Sequence, residues 1–127
     1  MRYPRGYKVQ IVDDERALTD SLVLILRQRG ILAMGSYSGQ TGLEDALRWH
    51  PDAVLIDVLL PDASGIEIAV ALRRQLPACR VLLMSGQATT ADLLDNSQAQ
   101  GDHFEVLPKP LSPEHLLERI EALRAAA

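Results

Sequence analysis

Asp57 is an acid set in an apolar run, with Ala53-Val54-Leu55-Ile56 before it and Val58-Leu59-Leu60 after it. A buried carboxylate without a partner costs several kcal/mol. Either Asp57 closes a strand and looks into a cleft, or the stretch is not a strand. Other residues could meet it in such a cleft. Asp13 and Asp14 follow the run KVQIV, Ser85 closes RVLLMS, and Lys109 stands between two prolines. Brought together, they make a cluster of three carboxylates, a hydroxyl and an ammonium. Three carboxylates within a few ångströms raise one another's pKa. Lys109 offsets one charge, and a hard divalent cation offsets more; oxygen ligands with room for water suit Mg²⁺. Metal, lysine and hydroxyl are also what a transferring phosphoryl group needs, because catalysis there is positioning and charge stabilisation. In that chemistry Asp57 is the nucleophile, and Ser85 hydrogen-bonds a phosphoryl oxygen.

The elements that must position these residues can be read from periodicity. Lys8 to Asp13 is rich in β-branched residues and predicts a first strand, after a loose lead-in over Met1 to Tyr7. Leu18, Leu22, Ile25, Leu26 and Arg29 fall on one stripe and predict a helix from Arg16 to Arg29, stopped by Gly30. Asp14 and Glu15 suit the positive end of its dipole. A weak strand follows over Ile31 to Ser36, then a helix over Gly39 to Trp49, ended by His50-Pro51. Ala53 to Asp57 is the third strand, Ser64 to Gln75 the third helix, and Arg80 to Ser85 the fourth strand. Gly86 to Gln100 reads as a weak fourth helix, with poor helix formers at Asn96-Ser97-Gln98. Phe104 to Leu107 is a fifth strand, and Ser112-Pro113-Glu114 starts a fifth helix with Leu116, Leu117, Ile120 and Leu123 inward. Short apolar strands alternating with amphipathic helices predict a parallel sheet covered on both faces, with right-handed crossovers. In open sheets of this kind the ligand site lies at the carboxyl ends of the strands. Asp13, Asp57, Ser85 and Lys109 all fall at or just beyond such ends.

Composition bounds the rest. The 127 residues suit one domain, and 47% apolar content supports a packed core. A net charge of −4 argues against a nucleic-acid-binding face. The single cysteine, Cys79, allows no internal disulfide and fits a reducing compartment; it reads as a small apolar filler. No apolar run is long enough for a membrane span, and MRYPRGYK has no h-region of a signal peptide, so the expected location is the cytoplasm. His50, His103 and His115 lack metal-ligand spacing, Trp49 is expected to pack at the end of the second helix, and Asp62 reads as a turn residue.

The chain resembles the receiver domain of two-component response regulators. The resemblance rests on Ile11-Val12-Asp13-Asp14-Glu15, Leu55-Ile56-Asp57 with Pro61 and Gly65, Leu83-Met84-Ser85-Gly86, and Lys109-Pro110, in that order. It covers essentially the whole chain, read as a single receiver domain over 1–127. It implies a flavodoxin-like (βα)5 fold, a doubly wound parallel five-stranded sheet in the order 2-1-3-4-5. It implies that Asp57 accepts a phosphoryl group from the phosphohistidine of a sensor histidine kinase or a histidine phosphotransfer protein. By the same resemblance Asp14, Asp57 and the Leu59 carbonyl bind Mg²⁺, and Asp13 acts through a metal-bound water. Lys109 pairs with Asp57 and then with the phosphoryl group, Ser85 is the switch hydroxyl, and Pro110 follows a cis bond. The fourth helix, fifth strand and fifth helix form the output face toward a downstream domain or protein, and a homodimer through it is allowed. Such a protein phosphorylates and dephosphorylates itself and is not a turnover enzyme. The resemblance leaves a stand-alone receiver and a part of a longer protein equally open.

The chain departs from the pattern at several places. Many receivers carry an aromatic residue three before the lysine, where this chain has Val106. Phe104 shares that face but lies about 6.6 Å along the strand, too far to take over the role. Leu59 and Gln87 occupy the positions near the attacking water, and an apolar Leu59 predicts slow self-hydrolysis. Three other functions fit the residues less well. A haloacid-dehalogenase-type phosphohydrolase needs an acid where Leu59 stands and a nucleophile after the first strand. A flavodoxin needs a phosphate-cradling loop where Asp13-Asp14-Glu15 would repel phosphate. A receiver-like interaction module independent of phosphorylation has only Val106 in its favour.

Overall fold

Five parallel strands lie side by side in the order β2-β1-β3-β4-β5 in the computed structural model, which describes residues 6–86 and 103–126. In chain order the elements are β1 (Lys8–Val12), α1 (Arg16–Gln28), β2 (Leu32–Ser36), α2 (Gly39–Trp49), β3 (Ala53–Asp57), α3 (Gly65–Gln75), β4 (Arg80–Ser85), β5 (Glu105–Pro108) and α4 (Pro113–Ala125). The expected order 2-1-3-4-5 is the observed one, and the topology is flavodoxin-like. The expected fourth helix falls outside the described residues except for Gly86, so α4 here is the helix predicted as the fifth.

Strand alternation divides the interior into two layers. Val9, Ile11, Leu55, Leu82, Met84 and Leu107 face α1 and α4, where Leu22, Leu26, Leu116 and Ile120 pack against them. Val12, Val54, Ile56, Val81 and Leu83 face α2 and α3, where Ala46, Ile66, Ala69 and Leu72 fill the opposite layer. Cys79 is buried in that second layer, as the apolar reading expects. The three central strands are covered on both sides, which is why β3 reads as a near-continuous apolar run.

Helix ends follow the signals in the sequence. Gly30 stops α1 with φ 82, a conformation that costs glycine little. His50 takes a left-handed conformation (φ 57) before Pro51 and closes α2. Ser112 accepts the His115 N–H at 3.0 Å and Pro113 opens α4. Two expectations need correction. Tyr7 is no part of a loose lead-in: its ring is buried in the first layer and its carbonyl accepts the Leu32 N–H at 3.0 Å. Asp62 is more than a turn residue. Its carboxylate accepts the N–H groups of Gly39 (2.8 Å) and Gln40 (3.0 Å), while Ser38 Oγ accepts that of Thr41 at 3.1 Å. The loop after β3 thus caps the start of α2.

Candidate functional site

The parallel register sets the strand ends level. Val12 pairs with Ile56, Asp57 with Met84, and Ser85 with Pro108, so the chain leaves β1, β3, β4 and β5 along one edge. Asp13 continues β1 by one ladder bond, its N–H donating to the Ser36 carbonyl at 3.0 Å. Its side chain is fully buried. Asp13 Oδ1 accepts the Glu15 N–H at 3.1 Å. Burial raises the Asp13 pKa, against the pull of the Glu15 amide and of Lys109. Asp14, next in line, is exposed.

Asp57 ends β3 and is buried. Oδ1 accepts the Leu59 N–H at 3.1 Å and Oδ2 accepts from Lys109 Nζ at 2.8 Å. The turn that follows is tight. The Gly65 N–H donates to the Val58 carbonyl at 2.8 Å, and a Cβ at Gly65 would fall 2.0 Å from the Asp57 carbonyl oxygen. Only glycine lets α3 start this close to β3.

Lys109 reaches the acids from the loop after β5. Its N–H donates to the Ser85 carbonyl at 3.0 Å, and its bond to Pro110 is cis. Its ammonium lies 2.8 Å from Asp57, 3.0 Å from Glu15 and 3.1 Å from Asp13. Burial alone would lower the lysine pKa, but the bonds to Asp57, Glu15 and Asp13 outweigh it and raise it. Ser85 is half-buried at the end of β4 and anchors the Lys109 backbone. A cleft of about 300 Å³ is lined by Asp14, Glu15, Asp57, Leu59, Gly86 and Lys109.

Asp13, Asp14 and Asp57 each offer a carboxylate oxygen, all within 4.8 Å of one another. Asp13 Oδ2 is buried with no aligned hydrogen bond, although the lysine charge lies beside it. A hard oxygen donor set with an under-used buried oxygen fits Mg²⁺. The structure thus brings Asp13, Asp14, Asp57 and Lys109 together, with Leu59 lining the cleft and the Ser85 carbonyl holding the Lys109 N–H. Gln87 lies outside the described residues. Sequence reasoning missed Glu15 as a lysine partner; its place in the run Asp13-Asp14-Glu15 was the available signal, read only as helix-end charge. Val106 is half-buried against the second layer, and Phe104 is buried there with the Arg73 guanidinium 3.9 Å above its ring. Arg73 also donates to the His103 carbonyl at 2.6 Å.

Comparison with known proteins adds four matches. A family model described as the response regulator receiver domain matches residues 9–121. The probable transcriptional regulatory protein TcrX of Mycobacterium tuberculosis is 34% identical over 115 residues, covering 91% of this chain and 48% of that protein. The transcriptional regulatory protein CreB of Escherichia coli is 32% identical over 115 residues, covering 91% of this chain and 49% of that protein. The chain therefore spans about half the length of these curated relatives. A CheY-like receiver domain protein of Methanospirillum hungatei shares the fold at a TM-score of 0.85, with 24% identity and 95% of each chain covered.

Proposed function

The chain belongs to the response regulator receiver domain family, and on that premise we propose that it is a phosphoacceptor switch with Asp57 as the acceptor. One observation supports this most: the Lys109 ammonium, 2.8 Å from Asp57 Oδ2, joins the ends of β1, β3 and β5 in one acid cluster. The donor is the phosphohistidine of a sensor histidine kinase or histidine phosphotransfer protein. A carboxylate oxygen of Asp57 attacks phosphorus and forms the acyl phosphate bond. The P–N bond breaks, and its electron pair returns to the imidazole. Lys109 leaves Asp57 Oδ2 for a phosphoryl oxygen, and the Ser85 hydroxyl donates to another. Asp14, Asp57 and the Leu59 carbonyl would hold Mg²⁺, with Asp13 acting through a water. That ion would supply charge neutralisation for the transferring group.

The output is a population shift of the face that includes β5 and α4; the fourth helix expected beside them lies outside the described residues. Moving such an equilibrium from 1:99 to 99:1 takes about 5.5 kcal/mol of differential stabilisation. The partners are the phosphodonor and an output domain or protein, in the cytoplasm; no direct nucleic-acid binding is assigned to this domain, and a homodimer through the output face is allowed. Among the described residues no helix is long and apolar enough to cross a membrane. The test is incubation with Mg²⁺ and acetyl phosphate, followed by intact mass. One added phosphoryl group is expected, and none in Asp57→Asn. No mass gain with acetyl phosphate or a phosphohistidine donor would overturn the reading and leave a module that works without phosphate.

A further inference from the structure

Lys109 has one partner more than phosphoryl transfer requires. Of its three carboxylates, Asp13 and Asp57 belong to the trio fitted to a divalent cation, and Glu15 does not. The ammonium therefore stands on acids that a metal ion (Asp57) and its water (Asp13) would take. Asp13 Oδ1 is already engaged by the Glu15 N–H, so Oδ2 is the atom for which the ammonium and a water of the metal compete. Burial sets the direction of retreat. The Asp13 side chain is 1% exposed and that of Glu15 is 62% exposed, so Glu15 lies on the solvent side of the ammonium. Glu15 is also the N-cap residue of α1, yet its side chain makes no capping hydrogen bond. Its carboxylate answers Lys109 instead, at 3.0 Å.

We propose that Glu15 is a positioning residue for Lys109: it holds the ammonium when a divalent cation displaces it from Asp13, and so raises the affinity of the cleft for the cation. The proposal rests on the reading of Asp13, Asp14 and Asp57 as a Mg²⁺ site. Without Glu15 the displaced ammonium keeps only Asp57 and water, and it stays closer to the entering ion. Like charges then oppose binding more strongly.

Calorimetric titration with MgCl2 tests this on four proteins: the unaltered chain, Glu15→Gln, Lys109→Met and the double variant. Glu15→Gln should raise the Mg²⁺ Kd about three- to five-fold, the size expected of a solvent-facing ion pair. In the Lys109→Met background the same substitution should change Kd less than about two-fold, since the partner through which Glu15 acts is gone. An equal effect in both backgrounds would make Glu15 a bare through-space charge and overturn the proposal, as would no effect in either. No Mg²⁺ binding by the unaltered chain would overturn the metal-site reading itself, together with this one. Should Lys109→Met fail to fold, the Lys109 side-chain chemical shifts serve instead. They should respond to Mg²⁺ differently in Glu15→Gln than in the unaltered chain; an identical response would overturn the proposal.

Discussion

Leu59 brings an apolar side chain to the rim of a charged cleft, where it is 45% exposed while its own N–H is held by Asp57. A leucine side chain can neither accept nor donate a hydrogen bond, so a water approaching a phosphorylated Asp57 past it has no orienting group there. Replacing Leu59 with asparagine keeps the backbone bond and adds an acceptor and a donor. Loss of the phosphoryl group should speed up about ten-fold, equivalent to 1.4 kcal/mol of barrier. The check is the decay of the phosphorylated mass after donor removal; equal half-lives for Leu59→Asn and the unaltered chain would show that Leu59 does not set the lifetime. At this scale much of the site was legible. An acid in an apolar run, two acids after a strand and a lysine between prolines each carry a charge that local structure does not explain. Glu15 was not legible as a lysine partner, because its bond to Lys109 joins residues 94 apart. Local rules gave it a sufficient role at a helix end, and nothing local says which acid a distant lysine will reach.

At the scale of elements, the loop that follows β3 is tied to α2 by Asp62. Hydrogen bonds from the amides of Gln40 and Gly39 hold its carboxyl below the usual carboxylate range. A depressed folded pKa contributes stability above the unfolded value of about 3.9. That contribution is lost as pH falls through the folded pKa. Asp62→Ala should therefore be less stable than the unaltered chain at neutral pH, and the gap should close toward acid. Urea unfolding midpoints from pH 7 down to pH 3 check this; a gap that stays constant would place the effect of Asp62 in packing and not in its charge. The pairing was hidden in the sequence for the same reason as the Glu15 contact. Ser38 already supplies a cap for α2, and the second cap comes from another loop. Among the described residues element types were legible because each strand and helix keeps its period, and boundaries moved by about one residue, as fraying ends do. Phe104 shows where alternation helps and where it stops. It predicts the shared face with Val106, and the structure adds Arg73 over the ring, which fixes Phe104 in the second layer.

For the whole molecule, alternation of strand and helix determines that the sheet is covered on both faces, and burial then governs groups far from the cleft. Cys79 lies just before β4 and is buried in the second layer. Burial pushes its thiol up to about 11, and the charge of Asp52 adds to the shift. The neutral thiol is thus favoured in the folded state. Stability from it is complete below the unfolded value of about 8.5 and falls as pH rises toward the folded one, because the unfolded chain then binds fewer protons. Over that window the loss is about 3 kcal/mol. Tyr7, raised mainly by burial, and Lys109, raised by its carboxylate bonds against burial, act in the same direction at higher pH. The chain should therefore lose stability on the alkaline side, beginning with the thiol. Cys79→Ala isolates that contribution: its unfolding free energy should stay level between about pH 8.5 and 10, where that of the unaltered chain declines. Two parallel curves would mean that Cys79 ionises as freely in the folded protein as in the unfolded one. The thiol should also react with an alkylating reagent only at the rate at which the second layer opens, since a neutral buried sulfur is neither accessible nor nucleophilic.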